Sequence, residues 1–129
     1  MTTLRPTTGI GLVLRLAIVA LTLTTGWIHL TLGGTLFTLN GLGYMAATAA
    51  MVLPIALAVR LRWLTRLGLV GYALATIVGW YLMGPRYDVA YIAKAVEVAL
   101  IVLLGVEIRA YDGNPLQRIG RAVRPLRRA

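Results

Sequence analysis

The sequence predicts an all-α, integral membrane four-helix bundle, and three observations carry that prediction. Of 129 residues, 59% are hydrophobic and only 13% charged, whereas about a quarter of the residues in an ordinary soluble domain are charged. The apolar residues run in four stretches, each long enough for a hydrocarbon layer of roughly 30 Å, which takes about 20 helical residues. The 13 basic residues, against 4 acidic ones, gather at alternate ends of those stretches.

The stretches cover about residues 10–32, 36–59, 64–83 and 89–108. Backbone polar groups find no water in lipid, so each is expected to be helical. The alternation and turn spacing of a membrane barrel are missing. This divides the chain into an N-terminal segment (1–9), a helical domain (10–110) and a basic tail (111–129). With no cysteine, a thiol relay, a disulfide framework and cysteine-ligated metal are excluded. Arg5 ahead of an apolar run suggests a secretory signal, but Arg15 interrupts the run, and Trp27 and His29 stand where a cleavage region would be. The first helix is therefore expected to be retained.

Charge gives the expected orientation. Arg5 and Arg15 begin the first helix, and Arg60, Arg62 and Arg66 crowd the second connection. Arg109, Arg118, Arg121, Arg124, Arg127 and Arg128 follow the fourth helix. Basic residues accumulate in cytoplasmic segments, so both termini are expected in the cytoplasm and the chain in the inner (plasma) membrane. Trp27, Trp80, Tyr81, Tyr87 and Tyr91 then fall near the outer boundary and Trp63 near the inner one, at the headgroup levels that such rings favour.

In the tail, Asn114-Pro115 is a good helix start. Leu116, Ile119, Val123 and Leu126 recur beyond it at helical spacing, with Arg118, Arg121, Arg124, Arg127 and Arg128 between and after them. That pattern predicts a short amphipathic helix at the membrane surface, its arginines contacting anionic lipid or a partner. Nucleic acid is not an expected partner, because these arginines flank a membrane span.

Small residues at four-residue spacing let helices approach closely in lipid. Gly71, Ala75 and Gly79 in the third helix, and Gly43 with Ala47 in the second, are the expected packing positions. They mark faces between those helices or a contact with another subunit. Pro54 is expected to kink the second helix and free backbone carbonyls.

Ionisable groups inside a span are expensive and therefore informative. Lys94 and Glu97 share a face of the fourth helix and can pair. Glu97 lies about 13 Å, and Lys94 about 9 Å, below Asp88 at 1.5 Å per residue. His29, Asn40 and Tyr44 reach similar depth on their own helices, as do Thr24, Thr25, Thr76 and Trp80. Together they predict an outward-facing polar site at Lys94, Glu97, His29, Tyr44 and Asn40. On a structural reading, Lys94–Glu97 is a buried pair, bonded to Tyr44 or Asn40, that fixes helix register. On a functional reading, Glu97 is the titratable carboxylate of a proton, ion or small-ligand site. The lysine favours a permanently ionised carboxylate, which weighs toward the structural reading. His29, the single histidine, has no second ligand at metal-binding spacing, so hydrogen bonding is its expected work and no metal site is predicted. Arg15 and Glu107 are expected to snorkel toward the inner surface.

The stretches His29-Leu-Thr-Leu-Gly33, Phe37-Thr-Leu-Asn40-Gly-Leu-Gly43-Tyr44 and Tyr91-Ile-Ala-Lys94-Ala-Val-Glu97 resemble a group of small, uncharacterised four-helix membrane proteins of bacteria and archaea. The resemblance covers about residues 10–110 and implies the fold and these positions, with no activity attached. In size the chain also resembles small multidrug exporters, but their functional carboxylate lies in the first helix, which here has no acidic residue.

Short loops, small-residue faces and the lack of a complete catalytic or metal constellation lead to the functional expectation. It is a non-catalytic accessory or scaffold subunit of a larger membrane complex of respiratory or photosynthetic type. The alternative is a small transporter or ligand-binding membrane protein, homo-oligomeric, acting at Lys94 and Glu97. An enzyme ranks behind both, since nothing supplies an activated nucleophile. The expected partners are the bilayer, its anionic lipids, and other membrane subunits or a second copy. The sequence names no cofactor.

Overall fold

The computed structural model describes residues 9–127. Six α-helices follow in order: α1 (Gly9–Thr31), α2 (Thr35–Val52), α3 (Ala56–Arg60), α4 (Arg62–Met83), α5 (Asp88–Glu107) and α6 (Pro115–Val123). A π-helical turn, Ile108–Asp112, continues α5, and a 3₁₀ turn, Arg124–Arg127, follows α6. The chain is thus a small all-helical protein in which four helices are long and apolar enough to cross a membrane. The shortest of them, α2, has 18 residues, about 27 Å at 1.5 Å per residue, close to the hydrocarbon thickness.

Short connections make successive long helices antiparallel. Between α1 and α2 the chain reverses at Gly33 and Gly34, with φ of 74° and 86°. Residues with a Cβ adopt this backbone region only with strain, so two adjacent glycines permit the turn. Around the bundle α4 packs on α5, α5 on α1 and α1 on α2, while the seam between α2 and α4 is thin. One end of the bundle carries His29 and the α1–α2 and α4–α5 connections; the other carries Arg15, Arg62 and Arg66. They are called the His29 end and the basic end below.

The expected second helix, 36–59, is divided. Proline has no N–H to continue the ladder and its ring crowds the preceding turn. Accordingly α2 stops at Val52, Leu53 and Pro54 are non-helical, and α3 starts at Ala56. Arg62 Nη2 then donates to the Leu53 carbonyl at 3.2 Å, so one backbone acceptor at this break is used by a side chain. The fourth helix runs further than expected, through the π turn to Asp112.

The core is formed by Ile18, Tyr44, Met51, Leu69, Leu100 and Leu104, with Ala47, Tyr72 and Leu103 among the side chains packed against it. The α1 and α2 backbones approach closely at two glycines. A Cβ placed on Gly41 would stand 2.9 Å from the Gly26 carbonyl oxygen, and one on Gly26 would stand 3.1 Å from Cβ of Tyr44. Gly26 and Gly41 therefore set the α1–α2 spacing.

Polarity is inverted along α5. Its buried face holds Ala90, Ala93, Glu97, Leu100, Leu104 and Glu107, while Val98, Val102 and Val106 are exposed at four-residue intervals. A water-soluble helix points its carboxylates outward and its valines inward. The opposite arrangement suits a hydrocarbon surround, where polar groups need partners inside the bundle.

Candidate functional site

Two polar clusters occupy the bundle, one toward each end. The cluster at the His29 end is centred on Glu97, whose side chain is fully buried. From its own helix, Lys94 Nζ donates to Oε2 at 2.7 Å. From α1, Thr25 Oγ1 donates to Oε1 at 3.1 Å, and from α2 the Tyr44 hydroxyl donates to the same oxygen at 3.2 Å. Thr76 of α4 lies 3.3 Å from the Tyr44 hydroxyl, and its carbonyl is 3.4 Å from Lys94 Nζ. Three of the long helices, α1, α2 and α5, therefore converge on one carboxylate, and α4 reaches its donors Tyr44 and Lys94 through Thr76. An ionised carboxylate in a low-dielectric interior needs this many donors, since an uncompensated buried charge is strongly unfavourable.

His29 is buried too, rather than lying at an interface. Its Nδ1 is 2.7 Å from the Thr25 carbonyl oxygen. A carbonyl only accepts, so Nδ1 carries the proton and Nε2 of the neutral ring is a lone-pair acceptor. Nε2 is 3.7 Å from Glu97 Oε1, too far for a hydrogen bond. The imidazole is held between the rings of Tyr44, with centroids 5.6 Å apart, and Phe37, at 6.3 Å.

The expected site residues Lys94, Glu97, His29 and Tyr44 are thus brought together. Asn40 enters by its backbone, its carbonyl accepting from the Tyr72 hydroxyl at 2.9 Å. Thr24 is exposed and bonds back to the Ala20 carbonyl of its own helix. Thr25 is the partner instead.

Beside this cluster, the thin seam between α2 and α4 opens into a cleft of about 480 Å³, whose walls include His29, Asn40, Tyr72, Thr76 and Lys94. Ala75 and Gly79 of α4 lie along it, and Leu36 and Met83 at its mouth are exposed. Above it Trp80 donates to the Pro85 carbonyl at 2.7 Å and stacks under Arg86, 4.2 Å from the ring centroid. The cleft therefore joins an apolar, exposed mouth to a polar wall.

The packing positions divide in the same way. Gly43 and Ala47 face inward: a Cβ on Gly43 would run into the Tyr72 ring, and Ala47 touches the core cluster. Around Gly71 and Gly79 a Cβ would meet nothing within 4 Å, and Ala75 is exposed. The small-residue run on α4 thus borders the cleft at Ala75 and Gly79, and at Gly71 and Gly79 it leaves open space rather than a helix contact.

The cluster at the basic end was not foreseen as a unit. Arg15 and Glu107 were expected to snorkel, yet the Glu107 side chain is fully buried and accepts from Arg15 Nη2 at 2.8 Å. Arg66 of α4 donates to the same oxygen from Nε at 3.1 Å, with Nη2 3.0 Å away, and its Nη1 reaches both oxygens of Asp112 at 2.8 and 3.0 Å. The π turn makes this possible. Gly113 N–H bonds to the Ile108 carbonyl, and the wider turn brings Asp112 back to α4. Tyr111 lies under Arg66, 5.3 Å from the ring centroid. A usable signal was in the sequence: with Lys94 paired to Glu97 on α5, Glu107 on the same helix needed a basic residue from another helix.

At the tail, the Asn114 side chain caps α6 by accepting from Leu116 N–H at 3.0 Å. Leu116, Ile119 and Val123 are exposed apolar groups on α6. Arg118 folds back over the Trp63 ring, 5.2 Å from its centroid, and lies 3.8 Å from Asp112. Arg121 and Arg124 are exposed. Arg128 lies outside the described residues, as do Arg5 and the side chain of Arg127.

Comparisons with protein families, with curated proteins and with solved structures return no match to this chain. No family is identified.

Proposed function

We propose that the chain is a ligand-binding membrane protein whose site is the cleft between α2, α4 and α5. One observation carries this reading. A Lys94–Glu97 pair that served only to lock helix register needs no cavity beside it, yet Lys94, the 11% exposed member of the pair, borders a cleft of about 480 Å³ together with His29. Ligand sites are typically concave and mostly apolar, with a few converging polar groups, and this cleft has that make-up. On this reading the four spans lie in the inner membrane with both termini cytoplasmic, as the basic residues favour, and the site faces outward.

The test is to purify the chain in lipid nanodiscs and identify by mass spectrometry the small molecules retained with it. Ala75→Trp, which fills the cleft wall, should release them while leaving the fold intact. Retention of the same molecules by the blocked variant would dismiss the cleft as the site.

A second reading, an accessory subunit of a larger membrane complex, draws on Gly71 and Gly79. These leave room on α4 for another helix to approach closely. Stoichiometric recovery of a different membrane protein in mild detergent, lost on Gly71→Leu, would favour it over the first.

A further inference from the structure

We propose that the ligand of this cleft is a membrane-dissolved monocarboxylic acid that enters protonated and leaves its proton on His29. The proposal rests on the ligand-binding reading above and names the ligand's chemical class.

The polar wall selects for head chemistry. Glu97 stands behind it, fully buried, with its oxygens occupied by Thr25, Tyr44 and Lys94. The residues that line the cleft include a cation, Lys94, and a base, His29, beside the neutral Asn40, Tyr72 and Thr76. Lys94 has three N–H donors; one goes to Glu97 at 2.7 Å and one to the Thr76 carbonyl at 3.4 Å. The third is available to a ligand oxygen. His29 uses Nδ1–H on the Thr25 carbonyl, which leaves the Nε2 lone pair without a hydrogen bond among the described residues. The wall therefore includes a donor on Lys94 and an acceptor on His29, the two functions that a carboxylic acid's C=O and O–H require.

Charge balance narrows the class further. Lys94 is already neutralised by Glu97, so a permanently charged anion would bring a net negative charge into a low-dielectric site, which is unfavourable. A neutral acid brings none. As it docks, the acid's O–H bond breaks and its electron pair stays on the carboxylate oxygen. An N–H bond forms on His29 Nε2. The product is a carboxylate beside Lys94 and an imidazolium whose Nε2 lies 3.7 Å from Glu97 Oε1. Total charge is unchanged, and the new positive charge falls between two carboxylates. The groups facing His29 from the packed elements are Thr25 on α1, Tyr44 and Phe37 on α2, and Glu97, paired to Lys94, on α5. Tyr72 of α4 stands behind Tyr44, with centroids 4.8 Å apart. Glu97 is the negative charge among them. The acid's alkyl chain leaves through the mouth at Leu36 and Met83 toward lipid.

The experiment uses the full chain in phosphatidylcholine nanodiscs, with palmitic acid, methyl palmitate and hexadecanol as probes of equal chain length. Binding is read by native mass spectrometry, and His29 by ¹⁵N NMR of its ring nitrogens. The acid should bind at least tenfold more tightly than the ester or the alcohol, and it alone should convert His29 to the imidazolium signature. Lys94→Met should weaken acid binding tenfold or more. Because that variant strands Glu97, the neutral pair Lys94→Met/Glu97→Gln is measured with it and should lose the same preference. Equal binding of acid, ester and alcohol would overturn the carboxylic-acid assignment while leaving the cleft as a ligand site. Acid-selective binding with His29 still neutral would overturn the proton transfer. Binding of all three probes that Ala75→Trp does not reduce would remove the ligand-binding reading itself.

Discussion

Arg66 on α4 and Glu107 on α5, 41 residues apart in sequence, meet with Nη2 3.0 Å from Oε1 while both side chains are buried. The same guanidinium holds both oxygens of Asp112, so one arginine joins α4 to the end of α5 and to the turn that leads to α6. Guanidinium suits this position because its planar fork serves two carboxylates at once, which an ammonium does not. Arg15 completes the arrangement from α1.

Removing Arg66 should therefore destabilise the bundle far more than removing Arg15. Arg66→Met leaves Asp112 without its main partner and Glu107 with Arg15 alone, and should lose about 3 kcal/mol. Arg15→Met removes a partner whose side chain is 20% exposed, and solvent screening limits the loss to about 1 kcal/mol. Denaturant midpoints in a fixed detergent compare the two variants. Equal losses would show that the cluster is not organised around Arg66.

The glycines make opposite predictions according to what stands beside them. Gly41→Val forces a side chain against the Gly26 carbonyl and Leu30, and overpacking of this kind costs roughly 1–3 kcal/mol. Gly71→Ala and Gly79→Ala meet open space and gain about 0.5–1 kcal/mol from helix propensity. Thermal melts of the three variants should move in opposite directions from the parent. A destabilising Gly71→Ala would place a second helix against that face.

This contrast shows how far the sequence could be read. Hydrophobic runs of span length and the two diglycine and proline breaks make the helices legible, because both act locally along the chain. The polar site was legible by depth: Glu97, Tyr44 and His29 fall at matching heights when counted from the helix ends. Rotation about each axis was not, so Thr24 could not be told from its neighbour Thr25, nor Gly71 from Gly41 as a packing residue. The Arg66–Asp112 pair depended on the π turn, an extra residue in a helical turn that no periodicity announces. The cleft arises where α2 and α4 pack only thinly, and a thin seam leaves no mark on either helix's sequence.

Orientation is open to direct measurement because the chain has no cysteine. A single Thr35→Cys substitution, at the exposed start of α2, should react with a membrane-impermeant maleimide added to whole cells. A cysteine at Gly120, on the exposed surface of α6, should react only after permeabilisation. Basic residues favour this direction by opposing translocation of the segments that carry them. The reverse labelling pattern would place the cleft on the cytoplasmic side.

Tyr44→Phe should cost about 0.6–1.5 kcal/mol, the value of one buried hydrogen bond in such a setting. It removes a single donor, at 3.2 Å, from a carboxylate that keeps Thr25 and Lys94, and leaves the ring packed against Tyr72, with centroids 4.8 Å apart. In a Lys94→Met/Glu97→Gln background the same substitution should cost measurably less, because the acceptor is no longer charged and charge-assisted bonds are about twice as strong as neutral ones. The double-mutant cycle isolates this coupling, since the residues are in contact. A Tyr44→Phe loss unchanged between the two backgrounds would mean that the hydroxyl is held by Thr76, 3.3 Å away, and that Glu97 is stabilised chiefly by Lys94. The α2 contribution to the site would then be the ring alone, and the carboxylate would be held by α1 and α5.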